Sequence, residues 1–193
     1  ILAQTALNLV RAGADFRLLV AGDGPDLPWL ERFITRHALE QRIILLGPVP
    51  MSGMRPLMAA SDVFFLPSRW EGIALSIYEA MSMGLAIVGA AVGGQRELVT
   101  PGCGLLLDIP RHGGDGAPDG AGHDADSIQA AGYAESLLAL LAEPAQRAAM
   151  GSAARQRIQA HFTLDAMGRR MDELLRRAIA LHAADPRTTN PAA

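Results

Sequence analysis

The chain has 193 residues and one cysteine, Cys103, so it can form no internal disulfide. A cysteine-based zinc site, which needs two or more thiolates at short spacing, is excluded with it. Cys103 itself reads as a small loop or core residue. Aromatic residues are scarce at 5%, and no Lys/Arg block of the kind that tracks a phosphate backbone occurs in a chain of formal net charge −3. Nucleic acid is therefore not an expected partner. No apolar run approaches the roughly 18 residues of a membrane span, no charged segment precedes an apolar stretch at the start, and no internal repeat is visible. Half of the residues are hydrophobic. A domain of this size hides roughly 70% of the surface of its unfolded chain, enough for a full core without staples.

The first ten residues are Ile-Leu-Ala-Gln-Thr-Ala-Leu-Asn-Leu-Val, with Leu2, Ala6, Leu9 and Val10 already in helical period and no capping residue ahead of them. The sequence reads as starting inside a helix, as a piece of a longer polypeptide would. Gly13 then marks the helix end. Short apolar runs follow at residues 16–21, 43–46, 63–66, 85–88 and 105–107, separated by helical patterns at about 26–38, 54–61 and 75–83. Continuously apolar strands alternating with helices predict an α/β fold, a doubly wound parallel sheet covered by helices on both faces. Ligands of such sheets sit beyond the carboxyl ends of the strands, so the loops after Ala21, Leu46, Leu66 and Val88 should share one rim.

His37, on the face of the second helix, reads as a solvated or half-buried edge residue. Residues 109–126, rich in Gly, Asp and Pro, have little to bury and read as a flexible loop. Its His112 and His123 stand near aspartates, but the solvated loop is the better reading than a metal site. Helices are expected at about 127–142, 144–161 and 164–182, with an unstructured tail over 183–193.

Residues 66–84, LPSRWEGIALSIYEAMSMG, carry the candidate chemistry. A strand end leads into a loop bearing Glu71, then a glycine, then a helix bearing Glu79 in its second turn. The backbone N–H groups of Gly72, Ile73, Ala74 and Leu75 are the orphan donors of a helix N-terminus, a place for phosphate. Gly72 allows close approach of a ligand. On these residues alone a second reading stays open, in which Glu71 complements the helix dipole at about 0.3–1 kcal/mol and Glu79 faces solvent. Against it, Glu79 lies among Ile77, Tyr78, Ala80 and Met81, where an idle carboxylate is costly to bury.

This segment resembles the donor-binding signature of the retaining GT-B-fold glycosyltransferases of group 1, in which two glutamates are separated by seven residues and followed by Ala-Met and a Gly. Glu71 and Glu79 have that spacing. Ala21-Gly22-Asp23-Gly24-Pro25, Leu46-Gly47-Pro48-Val49, Ala60-Ser61-Asp62-Val63 before Pro67-Ser68, Val92-Gly93-Gly94 with Glu97, and Gly104-Leu105-Leu106 resemble the family's successive blocks. The resemblance implies a C-terminal, Rossmann-like domain over residues 1–182 that binds a nucleoside-diphosphate sugar, opposite an N-terminal acceptor domain that these residues do not include. It assigns Glu79 to the ribose hydroxyls and Glu71 to the transferred sugar, as the catalytic carboxylate. The amides of Gly72, Ile73, Ala74 and Leu75 would meet the sugar and the diphosphate. Val49, with Gly47 before it, would meet the base through its backbone, while Pro67 and Ser68 shape the loop. No metal or other cofactor is expected, and the implied acceptor is a glycan or glycolipid in polysaccharide assembly. Location would be cytoplasmic, at most peripheral at the inner face of a membrane.

The chain departs from the family pattern in one consequential way. The Arg and Lys that the family places just upstream of the first helix, against the diphosphate, are not among these residues, and Arg69 and Arg96 are the nearest substitutes, each reading as a surface or loop residue. Ala74 stands where Gly or Pro is common in the family, and Ala86 where it often has Pro. The expectation is weak donor binding and no transfer by these residues alone. The rival readings are a non-catalytic binding or scaffold module, a nucleotide-sugar epimerase of the same fold, and a glycosidase-like pair of carboxylates.

Overall fold

The computed structural model describes residues 1–109 and 121–184. In chain order these form α1 (Leu2–Arg11), β1 (Leu18–Ala21), α2 (Leu27–Arg36), β2 (Ile43–Gly47), α3 (Met51–Ala59), β3 (Val63–Leu66), α4 (Leu75–Ser82), β4 (Ala86–Ala90), α5 (Gln95–Leu98), β5 (Gly104–Leu107), α6 (Ala121–Ala142), α7 (Pro144–His161) and α8 (Leu164–Ala184). The α/β class and parallel pairing agree with the sequence. Among the described residues the strands form a two-stranded sheet, β1-β2, and a three-stranded one, β3-β4-β5, all parallel. β1 and β3 exchange no ladder hydrogen bonds, so the backbone network breaks between them.

The chain divides into two compact units, Ile1–Arg155 and Gln156–Ala193. The first holds both sheets. All five residues of β4 are buried, which the run Ala-Ile-Val-Gly-Ala permits because neither face carries a polar side chain. Leu9 of α1 and Tyr133, Ala134, Leu137 and Leu140 of α6 pack with Ala86 and Val88 of β4. Ala6 of the same α1 packs with Ile34, Leu39 and Ile43 in a second cluster on β1 and β2. Each large apolar side chain so buried contributes about 1.5–3 kcal/mol. Arg147 donates to the carbonyls of Leu140 (2.6 Å) and Leu141 (3.0 Å), closing the C-terminus of α6 with a cation. In the second unit, Ala166 is buried while Leu164, Met167, Met171, Leu174, Leu175 and Ile179 of α8 are exposed.

Helix ends follow the chain's small residues. Gly13 takes φ 75° after α1, with its amide on the Val10 carbonyl (2.9 Å) and that of Ala14 on Leu9 (3.0 Å), a Schellman closure. α2 closes the same way, with Leu39 N–H on the Ile34 carbonyl at 2.9 Å, but Ala38 occupies the left-handed position at φ 52°. His37 caps that helix, partly buried against the Phe33 ring at 4.4 Å, an edge residue as expected.

Several boundaries differ from the sequence reading, α3 among them, beginning at Met51 rather than near residue 54. β1 begins at Leu18, because Phe16 is used as a packing residue in both clusters. α6 begins at Ala121, so residues 121–126 are helix where a loop was expected. A helix gains a bond per added residue whether or not that residue is buried. α8 likewise runs through residue 184, into the expected tail. The rest of the expected Gly-rich loop (110–120, with His112), the His123 side chain and residues 185–193 lie outside the described residues.

Tyr133 supplies a pH test of this core. It is fully buried, edge-on to Phe65 with ring centroids 5.1 Å apart, and its hydroxyl accepts a hydrogen bond from Gln129 Nε2 at 3.3 Å. Burial pushes its phenol up from 10.0 to about 12, the Gln129 contact opposing slightly. Above pH 10 the unfolded chain therefore releases a proton that the folded chain retains, and stability falls as pH rises from about 10 to about 12. The chain has no lysine, so no ammonium side chain titrates in that window. Denaturant midpoints measured across it should fall in the parent and flatten in Tyr133→Phe. Ala38→Gly should raise stability by about 0.5–1 kcal/mol in urea unfolding, since relief of the left-handed strain exceeds the entropy a glycine adds to the unfolded chain.

Candidate functional site

The two glutamates are carried by the connection from β3 to α4. Pro67 ends the strand, and Ser68 Oγ donates to Glu71 Oε1 at 2.8 Å, fixing the carboxylate within its own loop. Ala74 is the N-cap of α4, extended at φ −73° and ψ 117°, with no side-chain cap. The first amides of α4 thus lack the usual Ser, Thr or Asp partner, and the first turn tightens, with Ile77 N–H on the Ala74 carbonyl at 3.1 Å. Glu79 is partly buried on α4, and its carboxylate has no hydrogen bond or ion pair among the described residues. Trp70, at 91% exposed, stands beside Glu71.

The loop after β4 supports this connection from behind. Gly94 N–H donates to the Gly72 carbonyl at 2.6 Å. Gly93 has φ 52°, and a Cβ there would lie 2.0 Å from the Glu71 carbonyl oxygen; a Cβ on Gly94 would lie 2.4 Å from Ile73 Cγ1. Gly93 is thus required by contact with the backbone that carries Glu71, and Gly94 by contact with the Ile73 side chain. Next to them, Gln95 is fully buried with both amide atoms unpartnered.

Ser68, Glu71, Gly72 and Ile73 are brought together with Gly93 and Gly94. Gly47, the last residue of β2, and Val49, just beyond it, lie elsewhere, on the two-stranded sheet. There Gly47 turns at φ 65° and its carbonyl accepts the Gly22 N–H at 2.8 Å, while Val49 is partly buried. Beside this turn a cleft of about 400 Å³ is lined by Ile1 and the start of α1 (Leu2, Ala3), the end of β1, residues 22–27, Trp29 and Leu30. The sequence reading named residues 21–25 without seeing that they wall a cleft with α1. The sequence reading placed Gly93 and Gly94 only in a block resembling the family's; a Gly-Gly pair after a strand is the signal that could have announced their close backbone approach.

The arginines nearest the loop are surface residues, as their sequence reading had them. Arg69 is paired with Asp126, and Arg96 with Asp108. Both cations nearest the loop thus already have carboxylate partners. The second oxygen of Asp126 is buried and unpartnered. Uncapped amides beside an oriented carboxylate suit a ligand that is anionic at one end and rich in hydroxyls at the other. Among the described residues no group of three His, Cys, Asp or Glu side chains is placed to hold a metal ion.

Parallel strands and covering helices form an α/β fold, the fold of GT-B glycosyltransferases. The fold matches the C-terminal domain of a glycosyl transferase group 1 family protein from Francisella tularensis, with TM-score 0.65, 20% identity and coverage of 84% of this chain and 78% of that one. It also matches the pneumococcal O-GlcNAc transferase GtfA in complex with UDP and GlcNAc, with TM-score 0.70, 21% identity and coverage of 91% and 32%. The family profile of glycosyl transferases group 1 matches residues 1–113, and the chain belongs to that family. One relative is the GDP-mannose-dependent monoacylated alpha-(1-6)-phosphatidylinositol monomannoside mannosyltransferase of Corynebacterium glutamicum, 30% identical over 175 residues, 87% of this chain and 41% of that protein. Another is the alpha-D-kanosaminyltransferase of Streptomyces kanamyceticus, 31% identical over 99 residues, 51% of this chain and 26% of that protein. The chain thus spans less than half the length of these relatives.

Gly93→Ala forces either φ or the Glu71 carbonyl to move and should lower stability by about 1–3 kcal/mol. Gly102→Ala, where a Cβ meets nothing within 4 Å, should change it by less than about 0.5 kcal/mol. Urea unfolding of the two variants checks this.

Proposed function

We propose that the chain is the donor-binding, C-terminal domain of a retaining glycosyltransferase that moves a sugar from a nucleoside diphosphate to a glycan or glycolipid acceptor. The observation that carries this reading is the β3–α4 connection: Glu71 oriented by Ser68 and Glu79 unpaired on a helix whose first amides are uncapped. The family membership supports it.

In this reading the ribose hydroxyls donate to the Glu79 carboxylate, whose two oxygens offer acceptors for both. Glu71, held by Ser68, receives hydroxyls of the transferred sugar. The amides of Gly72, Ile73, Ala74 and Leu75 face the sugar and the diphosphate, Val49 and Gly47 meet the base through their backbone, and Pro67 sets the direction of the loop. As the glycosidic bond breaks, negative charge grows on the departing diphosphate. Donors already fixed in place stabilise that charge without reorganising. Because Arg69 and Arg96 are engaged by Asp126 and Asp108, these residues alone supply little cationic charge to the diphosphate. The same pairing supports weak donor binding and no transfer by this domain by itself. The acceptor would be held by a separate domain of the full protein, and the relative that acts on a phosphatidylinositol mannoside supports a glycolipid as one candidate class.

Titration calorimetry with uridine, guanosine and adenosine diphosphates and their sugars should give saturable heat for one base series. Glu79→Ala should weaken it about 10- to 100-fold, the loss of hydrogen bonds to a charged acceptor. No saturable heat with any of the panel overturns the site as drawn. Retention is read from the anomeric configuration of the product made by the full-length protein.

A further inference from the structure

We propose that Asp126 is a positioning residue that withholds Arg69 from the diphosphate of the donor and so sets how tightly the donor binds. The proposal rests on the donor-site reading above, and Asp126 acts through Arg69 without touching the ligand itself.

Arg69 belongs to the site loop, between Ser68 and Glu71, yet its Nη2 donates to Asp126 Oδ2 on α6, 57 residues further along the chain. α6 is a firm post for that contact. Asp126 stands four residues before Ala130 and seven before Tyr133, on the helix face that these two fully buried residues turn to the core. Tyr133 packs with Ala86 and Val88 of β4, and β4 pairs with β3, which carries the site loop. The carboxylate and the loop are thus placed by the same sheet.

The two arginine pairs near the loop are not equivalent. Arg96 meets Asp108, whose side chain is 85% exposed, whereas that of Asp126 is 27% exposed and its Oδ1 is buried with no hydrogen-bond partner. A carboxylate so placed has exchanged much of its water for one guanidinium. Removing that guanidinium leaves a partly buried charge uncompensated, which is more costly than opening a pair whose carboxylate is in water. Asp126 therefore competes for Arg69 against any anion that enters the site.

The withheld charge is within range of the site. Arg69 precedes Gly72 by three residues, at most about 10 Å of extended chain, and the screening length at physiological salt is about 8 Å. While the pair is closed, its two opposite charges largely cancel at the uncapped amides of α4. Once it opens, the guanidinium offers two parallel donors to phosphate oxygens. The cost of opening is then subtracted from donor affinity, and equally from that of the nucleoside diphosphate left after transfer, which carries the same group.

Titration calorimetry on four forms of the chain tests this: the parent, Asp126→Asn, Arg69→Gln and the double variant, each with uridine, guanosine and adenosine diphosphates and with inorganic pyrophosphate. Asp126→Asn keeps the shape of the side chain, removes its charge, and should tighten binding about 5- to 20-fold. The gain should shrink as salt rises. It should also be at least about threefold smaller when residue 69 is glutamine, because no cation is then released. A tighter complex is a readout that mere damage to the fold does not produce, and Asp126→Ala repeats the measurement should the asparagine variant not fold. Unchanged or weaker binding by the Asp126 variants, beside a parent that binds, overturns the proposal and leaves the donor reading standing. So does an equal gain with and without Arg69, which is the long-range field of a carboxylate and not the release of an arginine. Four forms that bind neither nucleotide nor pyrophosphate overturn both.

Discussion

Burial of β4 is the constraint on which the rest of the first unit depends. Ala86–Ala90 has no side chain that can face water, so α6 must cover it with Tyr133, Leu137 and Leu140, and α1 with Leu9. Once β4 is fixed, β3 and β5 are fixed beside it by register, Phe65 against Val88 and Leu105 against the same residue. The two loops that build the candidate site leave from the carboxyl ends of neighbouring strands, β3 and β4. They are therefore adjacent, and Gly94 can reach the Gly72 carbonyl. Packing at the centre of the sheet sets the position of a carboxylate at its rim.

That rim is built mainly from backbone. Glycines remove the Cβ atoms that would separate the β4 loop from the β3 loop, the start of α4 lacks a side-chain cap, and Ser68 and Glu71 supply the oriented polar pair. The cations nearby are spent on surface carboxylates. Exposed pairs of this kind contribute little to stability, about 0–1 kcal/mol, but they hold the guanidinium groups of Arg69 and Arg96.

Much of this was legible in the sequence because the signals were local. Continuous apolar runs marked five strands within about two residues, Gly13 and Gly84 marked helix ends, and the spacing of Glu71 and Glu79 marked the site segment. Ala38 was not legible, since an alanine gives no hint of a left-handed conformation that the surrounding closure of α2 imposes. Nor was α5, four residues long and held by its place after the Gly-Gly turn. The pairings of Arg69 with Asp126 and Arg96 with Asp108 join residues far apart in the chain, so no spacing rule announces them.

The sequence by itself determined the class of fold and the family, and it singled out residues 66–84 as the candidate site segment, because hydrophobic period and motif spacing act over a few residues. The tertiary structure alone decided that the strands form two sheets, that Gly93 and Gly94 buttress Glu71, and that the nearby arginines are already paired. Those depend on which strand edges find partners and which side chains meet across the fold. Such contacts are set by the packing of α1 and α6 over β4, which links residues distant in the chain.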